Sequence, residues 1–364
     1  MNISVHTQKI LDAAILAERV VGKKESLPVL SCVVLDVGER CVVRATNLES
    51  GIDVVIPCDI RERGVVAVPA SVFSQVLRSI HGDTVSLKMD EGNVCIESRG
   101  TKTLIKTLSA DEFPTLPVDN QKKGVVVSRQ KLISGLQSVS YAASTSMIRP
   151  ELGSILLSFR GSEIVCAATD SFRLAEKTIS GVHTEVMDIL IPLRHTSELV
   201  HILEKTEGEN VEMVTEDSQL VVSAQGVRFV SRVVDGSFPN YRDIIPKDKV
   251  TEATLLKQDL ADMLRKARVF SGADQQVGLH IYPSRKVFSA TAQSAVVGEM
   301  SDSLDAAVSG SDLDINFHIG YIADCLSSIE SDSVTLSFAG IGRPLVIRGV
   351  SDPSFLYLVM PLNR

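Results

Sequence analysis

The sequence predicts an α+β protein of three similar domains, each with two helices packed on antiparallel sheets. Three observations lead there. At 364 residues the chain exceeds the usual domain size of about 100–200 residues. A helix–strands–helix–strands pattern recurs along it: Thr46 and Thr169 stand 123 positions apart, and so do Pro69 and Pro192. Most strand-like runs alternate apolar and polar residues, as half-buried antiparallel strands do.

Each copy opens on a helix. Ile10, Leu11, Ala14, Ile15 and Ala17 share one face of a 3.6-residue period in the first copy. Leu132, Ile133, Leu136 and Val139 do so in the second, and Leu260, Met263, Leu264 and Ala267 in the third. Paired strands follow at 30–37 and 41–46, at 152–159 and 164–169, and more loosely at 279–282 and 287–292. Gly38-Glu39 and Gly161-Ser162 mark the turns.

A second helix comes next. Pro69 leads one carrying Val72, Val76, Leu77 and Ile80, and Pro192 leads one carrying Leu199, Val200 and Leu203. A proline at a first turn suits a helix start. The third copy leads from Phe317-His318 into Tyr321, Ile322, Cys325, Leu326 and Ile329. Strand pairs at 85–89 and 93–97, 211–214 and 219–222, and 334–338 and 345–348 close the copies. Pro-rich or charged stretches at 113–124 and 246–249 place the domain boundaries at 1–122, 123–246 and 247–364.

Composition narrows the function. Apolar residues at 44% and charged residues at 23% are ordinary for a globular chain and exclude global disorder. Aromatics at 4% and the lack of Trp imply an aliphatic core. Met1–His6 lacks the basic-then-apolar form of a signal peptide, and no apolar run nears the roughly 18 residues of a membrane span. The expectation is a soluble, cytoplasmic protein with no membrane role.

The six cysteines contain no C-x-x-C pair and read as buried free thiols. His195 and His201 have the wrong spacing for a zinc pair on one helix face. There is no phosphate-binding loop, H-E-x-x-H or G-x-S-x-G, and Gly340-Ile341-Gly342 reads as a turn between strands. The sequence therefore predicts no metal, no cofactor and no catalytic residue.

Charge is unevenly spread. The chain carries 37 Lys and Arg against 45 Asp and Glu, a net −8. The opening helices with their flanks, residues 7–24, 128–149 and 255–268, hold excesses of +2, +3 and +2. The remainder therefore carries −15. If the three helices line one surface, that surface attracts phosphate while the rest repels it. Ordinary solvated helix faces would give the same count.

Four short segments complete the picture. They are Leu27-Pro28-Val29-Leu30, Ala168-Thr169-Asp170 with Arg173-Leu174, Phe238-Pro239-Asn240-Tyr241 with Ile245-Pro246, and Val359-Met360-Pro361-Leu362. In this order and at these positions the chain resembles the bacterial DNA sliding clamp family, the beta subunit of DNA polymerase III, over its whole length.

The resemblance implies the DNA-clamp fold and a ring-forming homodimer closed head to tail, with helices lining the hole. It implies encircled double-stranded DNA, held without sequence readout. The implied protein partners are the alpha subunit of the replicative DNA polymerase, the clamp loader, and repair polymerases and ligase through clamp-binding peptides. Carried over by position, the partner-peptide pocket comprises Leu152, Thr169, Arg173, Leu174, Pro239, Ile244, Pro344, Leu345, Met360, Pro361 and Leu362. The DNA-facing residues are Lys24, Arg78, Arg149, Arg194 and Lys266.

Some positions depart from the family pattern. Phe172 stands where the family often has His, and Asp243 where a basic residue is frequent; Asn363-Arg364 also differ. Ring closure is expected to pair an edge strand around residues 101–108 with the third domain of a second copy. Arg99, Lys102 and Lys106 would there meet acids such as Glu299 and Asp302. Two alternatives remain at this stage: a non-ring repeat scaffold that binds protein peptides without DNA, and an enzyme with an unrecognised site.

Overall fold

The computed structural model describes residues 1–22, 27–114, 124–146, 148–216 and 218–362. Among them the helices are α1 (Thr7–Val20), α2 (Ala70–Arg78), α3 (Arg129–Ser140), α4 (Leu193–Lys205), α5 (Lys257–Phe270) and α6 (Ile319–Cys325). None is long and apolar enough to cross a membrane.

Each helix begins directly where a strand ends. The six strands are Asn2–His6, Gly64–Pro69, Val125–Ser128, Met187–Pro192, Thr251–Leu256 and Leu313–His318. His6, Pro69, Leu256 and His318, which precede four of these helices, make no side-chain cap. Backbone carbonyls satisfy the first amides instead. The N–H groups of Thr7, Arg129 and Lys257 donate to the carbonyls of Asp83, Glu209 and Asp332 at 2.9, 2.8 and 2.8 Å. These three bonds occupy equivalent places in the three copies. Leu193 and Ile319 donate in the same way to Gly153 and Gln275.

Among the described residues the strands form four antiparallel sheets. A five-stranded sheet runs Cys58–Glu62, Asn2–His6, Thr84–Asp90, Asn93–Ser98, Thr101–Lys106. An eight-stranded sheet takes Val125–Ser128, Asn210–Glu216, Gln219–Ala224 and Val227–Arg232, then Ser50–Ile56, Cys41–Thr46, Cys32–Val37 and Gly64–Pro69. A nine-stranded sheet takes Met187–Pro192, Ser154–Phe159, Glu163–Thr169 and Arg173–Ser180, then Phe355–Val359, Leu345–Gly349, Ser333–Phe338, Thr251–Leu256 and Ala306–Gly310. A four-stranded sheet runs Gly298–Leu304, Val287–Ser294, Gln276–Tyr282, Leu313–His318.

The two large sheets each join strands of adjacent copies. Val227–Arg232 pairs with Ser50–Ile56, and Arg173–Ser180 pairs with Phe355–Val359. The chain accordingly packs as two units, Met1–Arg129 with Ser197–Val233 and Gln130–Thr196 with Val234–Arg364. In the first, α1 packs on Cys41–Thr46, Ser50–Ile56 and α2. In the second, α5 packs on Val287–Ser294, Gly298–Leu304 and α6.

The buried set is aliphatic with a few phenylalanines, as the composition implies. The predicted faces of α3 and α5 are buried throughout. The face of α2 differs: Ala70, Phe73, Ser74 and Leu77 point inward, and Val72 is exposed. Cys32, Cys41, Cys95, Cys166 and Cys325 are buried free thiols, and Cys58 is half-buried.

Candidate peptide pocket and basic residues

Strand pairing draws distant parts of the sequence into one place. Arg173 lies opposite Val359 and Leu174 opposite Leu358, while Leu345 faces Val359 from the other side. Beneath them Leu156, Ala167, Leu174, Leu190, Tyr241, Val346 and Leu358 form one apolar cluster. Phe238, Ile245 and Met360 pack on it. Beyond the last strand, the Met360 N–H donates to the Phe172 carbonyl at 2.8 Å. The Leu362 N–H donates to the Asn316 carbonyl at 2.9 Å, so the tail is pinned at two points.

The predicted pocket residues fall into two groups. Leu152, Leu174 and Leu345 are buried and act as support. Pro239, Pro344, Met360, Pro361 and Leu362 are half-buried, and Ile244 is 55% exposed. This second group presents apolar surface that a ligand can cover. Phe172 adds to it at 61% exposure.

Thr169 has a local task. Its hydroxyl donates to the Arg173 carbonyl at 2.7 Å and accepts the Ser171 N–H. The Asp170 carboxylate accepts the N–H groups of Phe172 and Arg173, both at 2.9 Å. Ser171 is held at φ 79°, in the left-handed region, by this turn. The turn thus aims Phe172 outward and Arg173 inward.

The Arg173 guanidinium meets Asp170 at 3.0 Å and Asp324 at 2.6 Å, and stacks 4.6 Å from the Tyr321 ring centroid. Asp324 and Tyr321 escaped the sequence reading as site residues, because Tyr321 looked like one more apolar residue of a helix face. His318 stacks on the same ring at 4.5 Å. Burial, then the nearby Arg173 charge, pulls its imidazole below the ordinary value. It is therefore neutral at pH 7.

The turn after Pro239 is built on aromatics. Phe238 and Tyr241 pack edge to face at 5.8 Å. The Tyr241 hydroxyl donates to the Glu176 carboxylate, which also pairs with Arg242 at 3.6 Å. Burial first, then that carboxylate, raises the Tyr241 phenol, which stays protonated.

Four of the predicted DNA-facing residues, Arg78, Arg149, Arg194 and Lys266, are exposed. Lys24 lies outside the described residues. Arg78 ends α2 and reaches Glu18 at 3.8 Å, and Arg149 pairs with Glu151 at 3.0 Å. Lys266 on α5 pairs with Asp302 at 2.9 Å. Exposed pairs of this kind are worth about 0–1 kcal/mol, so phosphate can compete for these cations. The backbones of Arg149 and of Leu193, the residue before Arg194, both bond Gly153. The Gly153 N–H donates to the Arg149 carbonyl at 3.2 Å, and its carbonyl accepts the N–H of Leu193 at 2.9 Å.

The chain matches the DNA polymerase III beta subunit description in all three parts: N-terminal domain over residues 1–117, central domain over 126–240, and C-terminal domain over 242–363. The chain belongs to the DNA polymerase III beta subunit family. A relative within it, the beta sliding clamp of Bacillus subtilis, is 24% identical over 378 residues, covering 100% of both chains. The crystal structure of the Streptococcus pneumoniae DNA polymerase III beta chain is 26% identical with a TM-score of 0.94, covering 100% of both chains. That of the Bacillus subtilis clamp superposes with a TM-score of 0.95 at 24% identity, covering 100% of this chain and 99% of that one. The beta subunit family is a non-catalytic processivity factor, so the enzyme alternative falls with the family assignment.

Proposed function

We propose that the protein is a sliding clamp that encircles duplex DNA as a homodimeric ring and tethers the replicative DNA polymerase for processive synthesis. Membership of the beta subunit family over nearly the whole chain is the observation that carries this reading. A closed band holds DNA by topology and needs no base contacts. Exposed cations such as Arg78, Arg149, Arg194 and Lys266 suit it, because loose phosphate contacts permit sliding. A tethered polymerase gains effective concentration at the primer end.

Ring closure would use free sheet edges. Thr101–Lys106 ends the five-stranded sheet and Gly298–Leu304 ends the four-stranded one. Pairing them between two copies would remove both edges. Lys102 pairs with Asp90 within its own chain and Asp302 with Lys266, so closure would have to rearrange these charges. Ile105 is buried and Leu104 exposed, so Leu104 is the residue to probe.

The pocket around Met360 and Leu362 would take short apolar peptides from the polymerase alpha subunit, the clamp loader, repair polymerases and ligase. Retention on nicked circular DNA with release on linearisation tests the ring. A scaffold that binds only protein peptides would show no such difference.

A further inference from the structure

The pocket's charges are unequally engaged. Arg173 is held between Asp170 and Asp324, and Arg242 is tied to Glu176. Arg343 is exposed beside Pro344. Asp243 is exposed too, and its carboxylate accepts a hydrogen bond from the Asn240 amide, a neutral group. No lysine or arginine among the described residues pairs with it. Its neighbour Ile244 is the most exposed of the predicted pocket residues at 55%.

Asp243 and Ile244 are consecutive residues of the short helical turn Tyr241–Ile244, and both are exposed. Arg173 and Arg242 are matched by carboxylates, whereas Asp243, beside Ile244, has no cation partner among the described residues.

We propose that Asp243 gives this pocket a charge preference: it takes an apolar peptide bearing a lysine or arginine beside its anchors over one bearing a glutamate. This rests on the pocket reading above. Opposite charges across a solvent-exposed rim change affinity modestly and in a salt-dependent way, while the apolar anchors supply the bulk of binding.

Fluorescence anisotropy with the full chain tests it. Three short dye-labelled peptides share two leucine anchors and differ only in carrying Lys, Gln or Glu beside them. The Lys peptide binds tightest and the Glu peptide weakest, each step about two- to five-fold. High salt compresses the series. Asp243→Asn removes the order while leaving the Gln peptide within about two-fold, and Arg343→Gln leaves the order in place. Equal affinities in the wild-type chain, a preference for Glu, or an order that survives Asp243→Asn overturns the charge preference and leaves the pocket standing. Failure of all three peptides to bind overturns the pocket itself, and the preference with it.

Discussion

The guanidinium of Arg173 meets the carboxylate of Asp324 at 2.6 Å across 151 positions of sequence. One comes from the turn that opens strand Arg173–Ser180, the other from α6. The contact ties the turn bearing exposed Phe172 to the helix bearing Tyr321. Asp324→Ala leaves Arg173 with Asp170 alone. Hydrogen bonds to charged groups contribute about 1.5–3 kcal/mol, and the partial exposure of Asp324 lowers this to about 1 kcal/mol. Urea unfolding should show that loss, and peptide affinity should fall with it; an unchanged midpoint would make the contact incidental.

Met360 and Leu362 present their side chains from a tail whose backbone is pinned at Phe172 and Asn316. Met360→Ala with Leu362→Ala should weaken binding of the polymerase alpha subunit by about 1–3 kcal/mol in total. Surface plasmon resonance reads this directly. The backbone pins persist in the double variant, but Met360 also packs on the apolar cluster, so its melting temperature should fall slightly.

Helix α2 separates two neighbouring residues that sequence periodicity ranked the wrong way. Phe73 is fully buried and Val72 lies 44% exposed. Phe73→Ala should cost about 3–5 kcal/mol in denaturant unfolding, and Val72→Ala less than about 0.5 kcal/mol. Comparable losses at both sites would contradict the observed face.

That case shows what the sequence made legible. The apolar stripes of α3 and α5 announced themselves because every stripe residue is buried. In α2 only nine residues are helical, so Val72, Val76 and Ile80 fitted a period with Leu77 as well as Phe73 does. Short strands such as Asn2–His6 and Val125–Ser128 were invisible, since four or five residues carry too little alternation. The sharing of sheets between copies depends on pairings such as Phe229 with Ile52, which no local pattern encodes. In the pocket, motif residues were legible by resemblance. Asp324 was not, because its role exists only once Arg173 is beside it.

Gly135 sits inside α3, where helix propensity alone favours alanine by about 1 kcal/mol. Packing opposes it. A Cβ there would stand 2.7 Å from Ile179 Cδ1 and 3.1 Å from Cys166 Sγ. Overpacking of this kind costs about 1–3 kcal/mol, so the net effect should be destabilising. Gly135→Ala should lower the unfolding midpoint, and Ile179→Val in the same chain should recover part of the loss. A stabilised single variant would mean the strand yields more easily than close packing allows.

Lys177 and Asp352 form an ion pair at 3.2 Å with both side chains 8% exposed. Burial alone would raise the Asp352 carboxyl. The Ser354 hydroxyl and the Lys177 ammonium outweigh it and hold the group below its usual 3.8. A carboxyl lowered in the folded state contributes its full stability above the unfolded value, and that contribution vanishes as pH falls through the lower folded value. Lys177→Met leaves a buried carboxylate without its ammonium and should cost about 3–5 kcal/mol at pH 7. The deficit should shrink as pH falls, because the variant's carboxyl, freed of Lys177, protonates at higher pH than the wild type's and then no longer needs a counter-charge. Urea titrations of both proteins between neutral and acid pH measure the difference. A gap that stays constant with pH would assign the loss to side-chain packing rather than to charge.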